Sequence, residues 1–263
     1  MAQSGLKALA GKKRLKVGHF IVEFATPGIG HIMKNAGCEF VLFDLEHSGF
    51  GFETTKSALR YMQAADLPAI VRAPSKAYHH IARACDMGAE GVMLPMVGSA
   101  DEAKKILESI KYYPEGGRGV ALQVAHDDYR PGPVQQKLAA ANKRTTFFAQ
   151  IETADGVKNA DAIAAVDGVD CLWVGHFDLS VSLGIPGEFD NPKFTKAIDR
   201  VIAATRKHGK ALGRLVPTVE QGVALYQAGF DFICYSGDVW VLQNALTDAV
   251  ARLHAGTKGR KGK

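Results

Sequence analysis

Short apolar runs recur along the chain, each bounded by turn residues and most followed by a stretch with apolar positions at helical spacing. The runs occupy 15–22, 40–47, 68–72, 91–97, 147–152, 171–178, 210–216 and 230–235. They are near-continuous rather than alternating, which fits strands buried on both faces of a parallel sheet. Between them the spacing predicts helices over 27–36, 54–65, 78–87, 99–112, 134–142, 154–166, 192–208, 218–228 and 239–253. Gly37, Gly88 and Gly229 are helix stops. Ser99 and Thr218 are caps with Glu102 and Gln221 three residues on, and Asn191-Pro192 is a cap followed by a first-turn proline. Eight strand–helix units in 263 residues predict an α/β chain folded as one (β/α)8 TIM barrel over 1–255, with a flexible basic tail at 256–263. A doubly wound open sheet seldom reaches eight such units in this length. The alternation breaks at Pro114-Glu115-Gly116-Gly117-Arg118-Gly119, the start of an excursion to Pro133, and loops of that length are usually functional.

The fifth and sixth strands end alike, on Glu152 and on Asp178. Joined by a helix, they are expected to be parallel neighbours with both acids at one edge. A carboxylate there has no packing role, and two adjacent carboxylates need a cation, a shared proton or an arginine. A hard divalent metal completed by substrate and water is the simplest partner, against the bland alternative of two unrelated surface acids. In a barrel the same rim would also receive Glu46 and His47 after strand two and Arg72 after strand three.

Composition removes several function classes. No apolar stretch approaches the ~20 residues of a membrane span, and 1–16 lacks the apolar core of a secretory signal. Cys38, Cys85, Cys171 and Cys234 are widely spaced with no C-x-x-C pair, which predicts reduced thiols in a cytoplasmic protein rather than disulfides or a zinc site. The net charge of +5 is accounted for by Arg252, Lys258, Arg260, Lys261 and Lys263 near the C-terminus. The body is therefore neutral, and no nucleic-acid partner is expected.

The motifs also resemble a known family. Phe43-Asp44-Leu45-Glu46-His47-Ser48, Val71-Arg72-Ala73-Pro74 and the segment 88–97 (GAEGVMLPMV) are followed in order by Tyr113-Pro114, Gly117-Arg118-Gly119, Gln150-Ile151-Glu152-Thr153 and Gly175-His176-Phe177-Asp178-Leu179-Ser180. This set, spanning nearly the whole chain, resembles the HpcH/HpaI aldolases, metal-dependent class II enzymes that cleave 4-hydroxy-2-oxo acids to pyruvate and an aldehyde. The resemblance implies Glu152 and Asp178 as metal ligands, with Mg²⁺ or Mn²⁺ favoured over zinc by the all-oxygen donors and Co²⁺ as a third candidate. It implies His47 as catalytic acid–base working with Asp44, and Arg72 as the group that holds the keto oxygen. It places Gln150 beside the site and the main chain of Gly175, Phe177 and Asp178 around the pyruvate carboxylate. It brings Asp86 in from a neighbouring subunit of a homo-hexamer. Arg118 is open between a loop anchor and a ligand. One departure stands out: where the family has Pro and then a small residue after the glycine matching Gly175, this chain has His176 and Phe177, which puts the usual substrate range in question.

Two other readings compete. Cleavage of a citryl- or malyl-CoA ester on the same scaffold would need basic residues for the CoA phosphates, and none cluster near the rim motifs. A barrel kept only for binding or assembly would not require Asp44, Glu46, His47, Arg72, Glu152 and Asp178 all to be retained. His79, His80, His126 and His208 carry no motif and are read as structural or solvated, and Trp240 as core or interface.

Overall fold

A computed structural model describes residues 5–257. Eight parallel strands close into a barrel, β1 pairing with both β2 and β8. The strands are β1 (Lys16–Ile21), β2 (Phe40–Asp44), β3 (Ala69–Arg72), β4 (Gly91–Leu94), β5 (Thr146–Ile151), β6 (Val169–Val174), β7 (Ala211–Val216) and β8 (Phe232–Gly237). The helices are α1 (Leu6–Ala10), α2 (Ile29–Asn35), α3 (Phe52–Ala64), α4 (Tyr78–Asp86), α5 (Ala100–Ile110), α6 (Val134–Arg144), α7 (Ala154–Lys158), α8 (Ala160–Ala164), α9 (His176–Ser182), α10 (Pro192–Lys207), α11 (Val219–Ala228) and α12 (Asp238–Thr257). The (β/α)8 barrel expected from the apolar runs is the observed fold.

The helix ends follow local chemistry. Ser99 Oγ accepts from the Glu102 N–H at 3.2 Å, and the Glu102 carboxylate returns to the Gly98 N–H at 2.7 Å. The side chains of Thr153, Asn191 and Thr218 accept from the N–H groups of Gly156, Lys193 and Gln221 and so cap α7, α10 and α11. Gly229 closes α11 at φ +116°, a conformation that other residues seldom adopt.

The structure departs from the sequence expectation in four places. A short helix, α1, precedes the barrel and buries Leu6 and Leu9 in the cluster that fills the barrel interior. The segment read as one helix over 154–166 is two, α7 and α8, meeting at Asn159. Residues 171–178 are not one strand: β6 stops at Val174 and α9 begins at His176, so Asp178 lies in the first turn of a helix. Finally, α12 runs past the boundary expected at 255, through Gly256 to Thr257; the rest of the expected tail, 258–263, lies outside the described residues.

Two apolar layers hold the barrel. Between strands and helices lies a large shell that includes Phe43, Ile81, Ile106, Phe147 and Phe194. Inside, Phe40, Leu42, Met93, Phe148, Trp173 and Phe232 pack as a second cluster, with Phe148 and Phe232 edge to face at 5.5 Å. Gly213 makes room for it: a Cβ there would lie 2.2 Å from the Trp173 ring. Gly213→Ala should therefore lower stability by about 1–3 kcal/mol, the usual cost of overpacking a core. An unchanged urea midpoint in equilibrium unfolding would show that the ring has room to move.

Candidate active site

The strand register assembles the rim. Asp44 and Arg72 are paired residues on β2 and β3. Asp44 is fully buried, and its Oδ1 accepts from Arg72 Nε at 2.7 Å. Its oxygens also accept from the main-chain N–H of Glu46 at 2.9 Å and of His47 at 3.1 Å, which turns the chain tightly after β2. Arg72 Nη1 lies 3.3 Å from Glu46 Oε2, and its guanidinium sits 5.3 Å over the Phe20 ring. The His47 ring is largely exposed, with Nε2 3.7 Å from Glu46 Oε2. Asp44 therefore meets the main chain of His47, not its imidazole as the resemblance led one to expect. The oxygens of Asp44 are taken by Arg72 and two amides, and Glu46 is the acid beside the ring.

On the opposite side, Gln150 pairs with Trp173 and Ile151 with Val174, which sets Glu152 against Gly175. The approach is close enough that a Cβ on Gly175 would fall 2.1 Å from Glu152 Oε2. Only glycine fits this turn, and the turn is what starts α9 and delivers Asp178. The Gly175 N–H donates to the Ile151 carbonyl at 3.2 Å. It is thus committed to the ladder, and of the main-chain donors expected for a substrate carboxylate this one is taken.

Glu152 is 2% exposed. Its Oε1 accepts from the Met96 N–H at 2.6 Å, and its Oε2 accepts from Gln150 Nε2. Met96 adopts φ +53°, a costly conformation for a non-glycine residue, and in it presents that N–H. Nothing in the sequence marks a main-chain donor of this kind. Gln150 Oε1 is buried and, among the described residues, has no donor.

The charges do not balance. Burial raises the pKa of Glu152; the Gln150 and Met96 hydrogen bonds oppose the rise, and the negative charges of Asp178 and Glu46 add to it. Burial also raises Glu46, against Arg72 and His47, with Asp44 and Asp178 pushing the same way as burial. For Arg72 burial works against the charge, but Asp44 and Glu46 outweigh it and the pKa rises. A divalent cation between Glu152 and Asp178 would relieve this excess, and oxygen donors suit a hard ion. No group of three or more metal-ligating side chains exists among the described residues. The donors present thus fit a cation whose remaining positions are filled by substrate and water.

Around these groups is a pocket of about 290 Å³, lined among others by His47, Arg72, Gln150, Gly175, Phe177 and Asp178. Phe177 is 61% exposed, packed against His176 at 4.4 Å and Phe189 at 5.4 Å between ring centroids. His176 is buried, and burial together with Arg214 pushes its pKa down to about 3, so its imidazole is neutral. Arg214, on β7, is itself buried and has no ion-pair partner among the described residues; burial pushes it down to about 10. Phe189 and Phe194 flank it at 5.9 and 5.8 Å.

Asp86 is not brought to this rim. It ends α4, with Oδ1 3.5 Å from Arg118 Nη2. Arg118 is buried, stacks on Tyr112 at 3.8 Å and donates to the Ile110 carbonyl at 3.0 Å. It anchors the excursion over 114–133. The four cysteines are free thiols, and among the described residues no helix is long and apolar enough to cross a membrane.

Comparison with known proteins agrees with this geometry. Residues 19–245 match the family model described as HpcH/HpaI aldolase/citrate lyase. The chain is 34% identical over 229 residues to a hydroxypyruvate/pyruvate aldolase of Chromohalobacter salexigens, covering 87% of this chain and 90% of that one. It is 32% identical to a 5-keto-4-deoxy-D-glucarate aldolase of Shigella boydii, over 91% and 92% of the two chains. The crystal structure of an HpcH/HpaI aldolase from Desulfitobacterium hafniense superposes with a TM-score of 0.89 at 29% identity, covering 95% of this chain and 96% of that one. The chain belongs to the HpcH/HpaI aldolase/citrate lyase family.

Proposed function

We propose that the protein catalyses reversible aldol cleavage of a 4-hydroxy-2-oxo acid to pyruvate and an aldehyde. The observation that carries this reading is a pocket lined by Asp178 and the fixed cation Arg72, with the buried carboxylate of Glu152 close enough to Asp178 to be repelled by it and without an ion-pair partner among the described residues. A divalent cation bound by the two acids, Mg²⁺ or Mn²⁺ by their donor chemistry, would supply Lewis-acid stabilisation of negative charge on the substrate. When the C3–C4 bond breaks, its electron pair passes to C3 and the keto oxygen. Arg72 is held by Asp44 and Glu46, and its guanidinium retains N–H groups for that oxygen. His47 Nε2 takes the C4 hydroxyl proton as the aldehyde forms, and C3 is then protonated to give the methyl group of pyruvate. Glu46, 3.7 Å from the ring, stabilises the imidazolium. Gln150 lines the pocket beside the reacting groups, and Gly175, Phe177 and Asp178 bound the oxo-acid end. A CoA-ester substrate is disfavoured because Arg72, the permanent cation lining this pocket, is already paired with acids.

We also propose that the chain works as a homo-oligomer, the hexamer of the family resemblance being the expected form. In α12, Leu242, Leu246, Val250 and Leu253 are 47–68% exposed and fall on one stripe. Between α2 and α11 an apolar groove of about 680 Å³ is lined by Ile32, Met33, Val219, Val223 and Tyr226. That groove lies over the β8–β1 seam, where the eighth helix of a barrel normally packs. The occupant we assign is α12 of a second copy. Asp86 would then serve a neighbour's site.

Two outcomes are expected. His47→Ala should slow cleavage by roughly 10²–10⁴-fold, the usual worth of an acid–base group, and should slow deuterium uptake from D₂O into the pyruvate methyl group equally. Uptake at the wild-type rate in this variant would assign the proton to another group. By sedimentation, the wild type should be oligomeric and Leu246→Asp should shift it to smaller, inactive species; a fully active wild-type monomer would remove the shared-site proposal.

A further inference from the structure

The rim is divided by chemistry. The arc from β2 to β6 carries Asp44, Glu46, Arg72, Gln150, Glu152 and, through α9, Asp178. The arc of β7, β8 and β1 offers the same pocket three apolar side chains instead: Leu215 from β7, Trp240 from the start of α12 and Phe20 from β1. Leu42 and Trp173 lie beneath them as part of the barrel's inner cluster, and Phe177 edges the mouth.

This apolar arc is a built surface. Trp240 stacks on Phe20 with centroids 6.1 Å apart and planes 26° apart. Gly237 allows it, since a Cβ there would lie 2.7 Å from the indole. Asp238 fixes the arrangement: its buried carboxylate accepts from the main-chain N–H groups of Val22 at 3.2 Å, Glu23 at 3.0 Å and Phe24 at 2.8 Å. That clamp ties the chain leaving β1 to the start of α12, and so holds Phe20 under Trp240. Within one chain Trp240 remains 43% exposed and Phe177 61% exposed, large apolar surfaces that a ligand could cover.

Charge points the same way. Arg72 is the permanent cation among the residues lining the pocket, and Asp44 and Glu46 already engage it. Among the described residues no lysine lines the pocket. A second carboxylate, on the aldehyde part of the substrate, would meet no counter-charge on the apolar arc and would lie near the negative charge of Glu46.

Resting on the pyruvate-aldolase reading, we propose that the aldehyde partner carries an uncharged apolar substituent about the size of one aromatic ring, seated between Trp240, Leu215 and Phe177. Pyruvate occupies the charged arc, and the new C3–C4 bond lies at the boundary between the two. A pocket of about 290 Å³ has room for a three-carbon oxo acid with one ring.

The test is aldol addition of pyruvate, with Mg²⁺ present, to benzaldehyde, hexanal, glycolaldehyde, glyoxylate and succinic semialdehyde. Benzaldehyde or hexanal should exceed both carboxylated aldehydes at least tenfold in kcat/KM. Equal or better use of the carboxylated aldehydes would overturn the proposal. Trp240→Ala should reduce kcat/KM for benzaldehyde about tenfold and for glycolaldehyde much less, whereas equal losses for both would show that the indole only supports the fold. Leu215→Arg should move the preference toward succinic semialdehyde. Deuterium uptake into pyruvate without any aldehyde separates the two claims. Uptake combined with a preference for carboxylated aldehydes sinks the partner assignment alone, and no uptake at all sinks the aldolase reading with it.

Discussion

Four carboxylates, Asp44, Glu46, Glu152 and Asp178, share the mouth of the barrel with one permanent cation, Arg72. Repulsion of this kind is tolerated only where something holds it in place, and the structure shows what does. Asp44 is tied by Arg72 and two main-chain amides. Glu152 is tied by the Met96 amide and by Gln150. Asp178 reaches the site through a turn that only glycine can make against the Glu152 side chain. Asp44, Glu46 and Glu152 are fixed by neutral donors or by the arginine, and the remaining negative charge is what makes the pocket a place for a cation. Burial sharpens the effect, because it raises the cost of every unpaired charge.

The barrel scaffold lets these groups converge. Parallel strands end at one rim, so residues far apart in the chain meet with the precision of the ladder. The same closure divides that rim, placing Phe20, Leu215 and Trp240 opposite the acids. Strand β8 joins β1 to complete the barrel, and Asp238 reinforces that joint with hydrogen bonds to the chain after β1. Fold closure and the shape of the apolar wall thus depend on the same few contacts.

Much of this was legible in the chain. The strands announce themselves as apolar runs because both faces are buried, and Glu46, Arg72 and Glu152 stand out because charge at the end of such a run has no packing purpose. Asp178 was legible as an acid but not as part of α9: the run Cys171–Val174 continues visually into His176 and Phe177, and the turn at Gly175 is dictated by Glu152, which is distant in sequence. Helix α1 is too short for periodicity to reveal. Leu215, Phe20 and Trp240 were hidden for a different reason. An apolar side chain at a strand end looks the same whether it faces the core or a ligand. The N–H of Met96 left no trace at all, since any residue but proline carries one. That the Asp44 oxygens accept from Arg72 and from the main-chain N–H groups of Glu46 and His47, with no contact to the His47 ring, was likewise not legible, since the turn after β2 sets it.

The central claim is that Glu152 and Asp178 together bind a divalent cation. Protein stripped with EDTA and titrated with Mn²⁺, with free Mn²⁺ followed by electron paramagnetic resonance, tests it without reference to turnover. The account predicts saturable binding to the wild type, weakened by at least about tenfold in Glu152→Gln and in Asp178→Asn, because each change replaces an anionic oxygen with a neutral one. Wild-type Mn²⁺ affinity in either variant would contradict it.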